Sequence, residues 1–505
     1  MIKGQGTPLD IHGRAYNRPM MVALLMVATF AGVLMQTSLG TMIPTLMGEF
    51  GIDMSTAQQA TTWFLLANGI MIPVTAFLAT RFRTRWLYLA AYVALFLGMF
   101  MSFSAPTSNW GLFLAGRIVQ AIAVGITMPM MQVCMVNMFP AKRLGAVMGL
   151  YGLVVGLAPA IGPTFAGWII SEDHTVLGFN LSSSWRTVFL LPMVIVGISV
   201  ALTPFMIRDV VPNRDTRLDF LSFLKTIIGF GAFLWGFTNV ASFGWGNVAH
   251  VILPIITGFI VIALFARRQL RLEEPLLNVS VFRNRQFALT TVCLALSVMA
   301  MMGVEMMLPL YMQTVRGLSA FDAGLVLLPG ALMMGIISPL AGRAYDAVGA
   351  KVLVLTGFFI LALGTVPFVF FTPTTPEHFV TVLYGMRMFG IAMCMMPLTA
   401  SAMKALPTSL AAHGTASNAT ARQVASAVVV ALLSSVAQNL ITGHQPDATL
   451  QGSNPLEYAH LMLQAALDGY RMSFLLGLVF AVMGMIFINF LRQHGQQPAK
   501  EETLA

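Results

Sequence analysis

Charge is what this sequence has least of. Only 9% of its 505 residues are Asp, Glu, Lys or Arg, against about 25% in an ordinary soluble domain, and 57% are hydrophobic. The apolar residues stand in long blocks, which excludes a soluble globular fold and predicts an all-α polytopic membrane protein. Cysteine is scarce as well. Cys134, Cys293 and Cys394 all fall inside apolar blocks without metal-ligand spacing, so they read as small hydrophobes and no metal is expected. No glycine-rich loop with GK[ST] follows a strand, which excludes an ATP motor. No His, Asp and Ser set is spaced for catalysis, so neither an enzyme nor a cofactor is expected.

Blocks of about 20 apolar residues bounded by charge, Pro or polar clusters predict fourteen helices. They lie near 20–42, 58–80, 86–105, 110–132, 144–169, 187–207, 219–241, 251–266, 287–310, 322–342, 351–371, 379–401, 412–440 and 470–491. Residues 1–19 lack an apolar run and read as a cytoplasmic tail rather than a signal peptide. Most of the 28 basic residues then fall on one side, in the tail and in connections such as Arg81, Arg83 and Arg85, Lys142 and Arg143, Arg208, Arg214 and Arg217. This bias places both termini in the cytoplasm. It also explains the net charge of +9 by attraction to anionic lipid, with no nucleic-acid partner.

The chain repeats itself. TMIPTLM at 41–47 ends the first span and MMLPLYM at 306–312 ends the ninth; AFLATRFRTRW at 76–86 leaves the second and AGRAYDAVGAK at 341–351 leaves the tenth. RIVQAIAVG in the fourth span begins with Arg117 and includes Gln120, and Arg387 lies in the twelfth, the positional counterpart. The fifth span carries Gly149 and then GLVVGLAPAIGPTFAGW from 152 to 168, with Pro159, Gly162, Pro163 and Gly167. Together these motifs resemble the major facilitator superfamily, and within it the fourteen-helix drug:proton antiporters, over about residues 20–491.

The resemblance implies two six-helix bundles, 20–207 and 287–491, joined by a region of two extra helices at 208–286, with cytoplasmic tails at 1–19 and 492–505. It makes Gly149, Pro159, Gly162, Pro163 and Gly167 an antiporter-type helix that packs across the two halves and seals the cavity. The loop motifs, Arg81 and Arg85 in the first half and Gly342, Arg343, Asp346, Gly349 and Lys351 in the second, become a latch of charge pairs on the inner face. The first-half copy departs from the family pattern, with Ala76, Thr80 and Arg83 in place of Gly, Asp and Gly.

Few ionisable groups remain inside spans: Arg117, Lys225, Glu305, Arg387 and Arg422. Such groups are costly in hydrocarbon and face a cavity or a partner. Glu305 is the carboxylate well inside a span, and is expected to exchange the coupling proton. Arg117, Gln120, Arg387 and Arg422 are expected to gate the cavity or tune its charge. Gln36 and Thr37 offer hydrogen bonds in the first half but do not titrate. Methionine numbers 37 and phenylalanine 36, and Met131, Met302, Met306 and Met396 are placed with Gln36 and Thr37 in a broad apolar pocket.

These features predict a monomeric exporter in the cytoplasmic membrane that exchanges amphipathic, cationic small molecules for protons and is surrounded by membrane lipids. A dedicated exporter of a lipid, peptide or metabolite shares the fold. A receptor or scaffold has no need of duplicated halves.

Overall fold

The computed structural model describes residues 8–491 apart from 53, 141–142, 177, 214–218, 274, 445 and 447. Lys142, Arg214, Arg217 and the ends of both tails lie outside the described residues. Among the described residues, fourteen helices are long and apolar enough to cross a membrane. An uncharged block has no water to satisfy its peptide groups in lipid, so the helix that satisfies them internally is the conformation left.

The first six spans are α1 (Arg18–Phe50), α2 (Met54–Arg81), α3 (Thr84–Ser104), α4 (Trp110–Met138), α5 (Leu144–Ser171) and α6 (Thr187–Met206). A two-stranded antiparallel hairpin, β1 (His174–Val176) and β2 (Phe179–Leu181), fills the α5–α6 connection. Polar residues fix the helix starts. Asn17 accepts from the Met20 N–H ahead of α1 and Asn109 from the Leu112 N–H ahead of α4, satisfying donors that have no partner within the helix. Gly51, at φ +64°, ends α1. Phe50, Trp110, Phe113, Trp185 and Phe189 close that end of the bundle, with ring centroids 5.0–6.4 Å apart.

Next come α7 (Phe220–Thr238), the single turn α8 (Val240–Phe243) and α9 (Leu253–Gln269), which is preceded by a π-helical turn. Gly229, Gly236 and Gly258 let α7 and α9 approach at backbone distance. Arg268 closes the pair at its polar end with two bonds to Asp219, 2.7 and 3.0 Å, which hold the Asp219 carboxyl down at about 2. The α7–α9 pair docks where the halves meet: Leu234 of α7 lies against Gly69 of α2, beside Gln423 of the second half, and Trp63 and Trp235 pack at 5.3 Å.

The second half is α10 (Arg285–Glu305), α11 (Met307–Thr314), α12 (Ala320–Val348), α13 (Ala350–Thr365), α14 (Glu377–Lys404), α15 (Ala411–Gly443), the short α16 (Ala448–Ser453) and α17 (Pro455–Ile488). Helices α10 and α11 form one span. The last helix begins well before the expected boundary at 470.

The halves are joined unevenly. On the face that bears the basic loops, Phe287, Tyr345, Ala400, Met403 and Ala412 of the second half belong to the same buried cluster as the first half. The rest of the second half has a separate core. The basic face is therefore closed by direct packing of one bundle on the other.

Candidate functional site

The sequence-predicted arginines occupy matching places. Arg117 on α4 and Arg387 on α14 are both fully buried. Arg117 Nη1 donates to the Met35 carbonyl at 3.1 Å and to Gln120 Oε1 at 2.9 Å, and Gln120 in turn donates to the Gly98 carbonyl and to Ser102 Oγ. Arg387 Nη2 donates to the Ala300 carbonyl at 2.9 Å and Nε to Thr365 Oγ1 at 2.8 Å. Met35 and Ala300 each stand nine positions before the proline near the far end of their span, Pro44 and Pro309. Both arginines are thus bolts to the same backbone position, one in each half. Neither is saturated, since Nε and Nη2 of Arg117 and Nη1 of Arg387 are buried without an acceptor. Arg117 meets the face of Phe64 at 4.5 Å instead, a contact that compensates part of the lost hydration.

The halves differ four positions before that proline, where the first has Gly40 and the second has Glu305. Pro309 has no N–H to give the Glu305 carbonyl. The helix stops at Glu305 and resumes at Met307. Glu305 is half-buried, its Oε2 is sealed from solvent with no hydrogen-bond partner, and it lies within electrostatic reach of Arg387 and Tyr384. Tyr384 stands one turn from Arg387 on α14, an i, i+3 spacing that could have identified it. Met302 and Met306 are half-buried on the same turn as Glu305.

Other expected pocket residues are placed differently. Met131 is fully buried in the core of the first half, and Met396 is fully buried against Gly152 of α5, so neither lines an open surface in this conformation. Gln36 is half-buried. The Thr37 hydroxyl is turned to the backbone carbonyls of Val33, Leu34 and, across to α5, Ala158, while Ser38 donates to the Gly162 carbonyl at 3.1 Å. Thr37 is a clamp between helices.

This placement corrects the expected role of Gly162, which packs against α1 of its own half. The seam across the halves is made instead by Gly145, Gly149 and Gly156, which face Gly342, Ser338 with Pro339, and Met334 of α12. Gly167 is buried, Pro163 is half-buried, and Pro159 lies within the same unbroken helix. A Cβ on Gly162 would overlap Thr37. Gly162→Leu is expected to destabilise the fold by about 1–3 kcal/mol through overpacking, read as a lowered unfolding temperature in detergent with membrane insertion retained. An unchanged unfolding temperature would contradict the clamp.

The latch also differs from expectation. Asp346 accepts from the backbone N–H groups of Gly145 and Ala146 at the start of α5, so its partner across the halves is the positive end of a helix, with the charge of Lys404 from its own half within electrostatic reach. Beside it, Gly145 and Gly342 meet backbone to backbone. Arg343 is exposed, and Gly349, at φ +86°, makes the turn into α13. Lys351 donates to the Asn489 carbonyl within its own half, and the Arg85 N–H donates to Asp209. Arg81 is exposed at the end of α2. Two further side chains stitch the halves: Arg422 Nη2 reaches the Tyr151 hydroxyl of α5 at 3.0 Å, and Gln423 Nε2 the Leu65 carbonyl of α2 at 3.3 Å.

A family model described as Major Facilitator Superfamily matches residues 25–430. Over 493 residues the chain is 38% identical to YcnB of Bacillus subtilis (strain 168), named an uncharacterized MFS-type transporter, covering 98% of this chain and 99% of that protein. It is 33% identical over 477 residues to the lincomycin resistance protein LmrB of the same organism, covering 94% and 96%. Among solved structures, the proton:xylose symporter XylE bound to 6-bromo-6-deoxy-D-glucose matches with a TM-score of 0.59 at 15% identity, over 94% of this chain and 97% of that one, a likeness of fold.

Proposed function

The chain belongs to the Major Facilitator Superfamily and is a transporter, and from that premise we propose that it exports lipophilic monocations across the cytoplasmic membrane in exchange for protons. The observation that carries this reading is Glu305, a carboxylate with one oxygen sealed and unpartnered at a break in its span. An ionised carboxylate so placed is costly unless water, Arg387 or a cation compensates it. Proton and cationic substrate then compete for one group as the cavity alternates between faces, which is what exchange requires. The half-buried Met302 and Met306 on the same turn supply apolar contact with little directional demand. A relative named for lincomycin resistance supports small organic molecules as the substrate class.

Whole-cell accumulation of a fluorescent lipophilic cation tests the proposal. Cells carrying the protein should hold less dye than controls while the proton gradient stands, and equal dye once a protonophore collapses it. Depletion indifferent to the protonophore would sink proton exchange. Within the same account, Asp346→Asn should loosen closure on the basic face, since a carboxylate at a helix N-terminus contributes about 0.3–1 kcal/mol, up to about 2 kcal/mol when partly buried. Spin labels across that face should then show a larger population at long distance. An unchanged distance distribution would rule out the Asp346 latch.

A further inference from the structure

On the basic face, away from Glu305 and Arg387, three segments distant in sequence meet around a cavity of about 200 Å³. The first is the N-terminal segment, folded back through a bridge between Leu9 and Ala15. The second is the α2–α3 connection, and the third is the exit from α6. Asp10 Oδ1 accepts from the N–H groups of His12 and Arg14 at 2.9 and 2.8 Å. Asp209 Oδ1 accepts from the Arg85 N–H at 3.1 Å, its Oδ2 lies 3.5 Å from His12 Nε2, and its carbonyl accepts from the Ile11 N–H. Asp10 thereby folds its own segment, and Asp209 holds the three segments together.

What they leave over is positive. Arg14, Arg83, Arg85 and Arg208 line the cavity against those two carboxylates, and among the described residues none of the four forms an ion pair. Arg85 Nε is sealed from solvent without an acceptor, although the guanidinium rests on Trp86 at 5.5 Å. Four like charges around one small space repel, and a buried donor without a partner bears its full desolvation cost. An anion with several acceptor oxygens relieves both.

We propose that this cavity is a binding site for a phosphate-bearing anion, supplied by the headgroup of an acidic phospholipid in the adjoining leaflet. Guanidinium forks match phosphate oxygens in geometry as well as charge. The cavity lies at the ends of membrane spans, flanked by the exposed rings of Phe82 and Trp86, 48% and 54% accessible, where aromatic side chains sit at the level of headgroups. The bound phosphate ties the N-terminal segment to the loop between α2 and α3.

Hydrogen exchange of the full chain in nanodiscs tests the site. With phosphatidylglycerol added to phosphatidylcholine, the amides of residues 10–14 should exchange more slowly, and native mass spectrometry should find retained phosphatidylglycerol. Replacing two guanidiniums, as Arg83→Gln with Arg85→Gln, should lower that retention by about tenfold. Arg208→Gln alone should lower it less, which guards against a double variant that fails to fold. Arg283→Gln, exposed on the same face, should leave it unchanged. Protection by inorganic phosphate in pure phosphatidylcholine would keep the anion site and overturn the lipid source. No protection by either anion, or equal loss in Arg283→Gln, would overturn the site.

Discussion

Glu305→Gln is expected to lower pH-gradient-driven substrate movement in proteoliposomes by about a hundredfold or more, with protein yield and unfolding temperature near wild type. Glutamine keeps the size of the side chain and cannot exchange a proton. It also removes a charge from a position where Oε2 has no hydrogen-bond partner, so the fold loses only the attraction to Arg387. The break between α10 and α11 depends on Pro309 rather than on the carboxylate and should survive. Matched neutral, monocationic, dicationic and anionic compounds of similar size extend the test. The wild type should favour monocations and handle dications poorly, because the second charge would be desolvated without a partner, and the variant should lose that preference. Gradient-driven movement retained in Glu305→Gln would transfer the coupling role to a carboxylate at a span end, such as Asp346. Equal transport of anions would favour a pocket centred on Arg387.

Gly342→Leu should arrest the protein open on its basic face. At this position a Cβ would land on the carbonyl oxygen of Gly145, a backbone atom of the opposite bundle that cannot turn aside as a flexible side chain can. Overpacking of about 3 kcal/mol in the closed state alone would lower its population by roughly a hundredfold relative to the open one. Transport should fall with it, while insertion persists, because each bundle keeps its own packing. Spin-label distances between the ends of α5 and α12 on the basic face should lengthen. Normal transport by the variant would mean that the Gly145–Gly342 contact is not part of the cycle.

The fourteen spans were legible because a membrane helix must be apolar over a fixed length, and composition reports that directly. Helix ends beyond the membrane were not. The last helix begins at Pro455, capped by Asn454 bonding the Glu457 N–H, a polar start that hydropathy passes over. Arg117 and Arg387 were legible as charges in apolar surroundings, but each also bonds a backbone carbonyl of another helix, Met35 or Ala300, which carries no letter in the sequence. The same holds for Asp346, whose partners are N–H groups of the other bundle. Methionine numbers suggested a pocket, yet Met131 and Met396 pack in full burial, because the side an unbranched side chain takes is decided by its neighbours in space. In α5 the glycine pattern announced close approach without saying to what: Gly145 and Gly149 face the opposite half, whereas Gly162 faces α1.

Proton release on substrate binding by the purified protein in detergent tests the central claim most directly, because it needs no gradient, vesicle or cell. A lipophilic monocation added to wild-type protein in weak buffer should displace a proton from Glu305 and acidify the solution in proportion to the protein present, while Glu305→Gln should bind without release. Equal release from both proteins, or binding to the wild type with no release at all, would contradict the exchange of substrate and proton at Glu305.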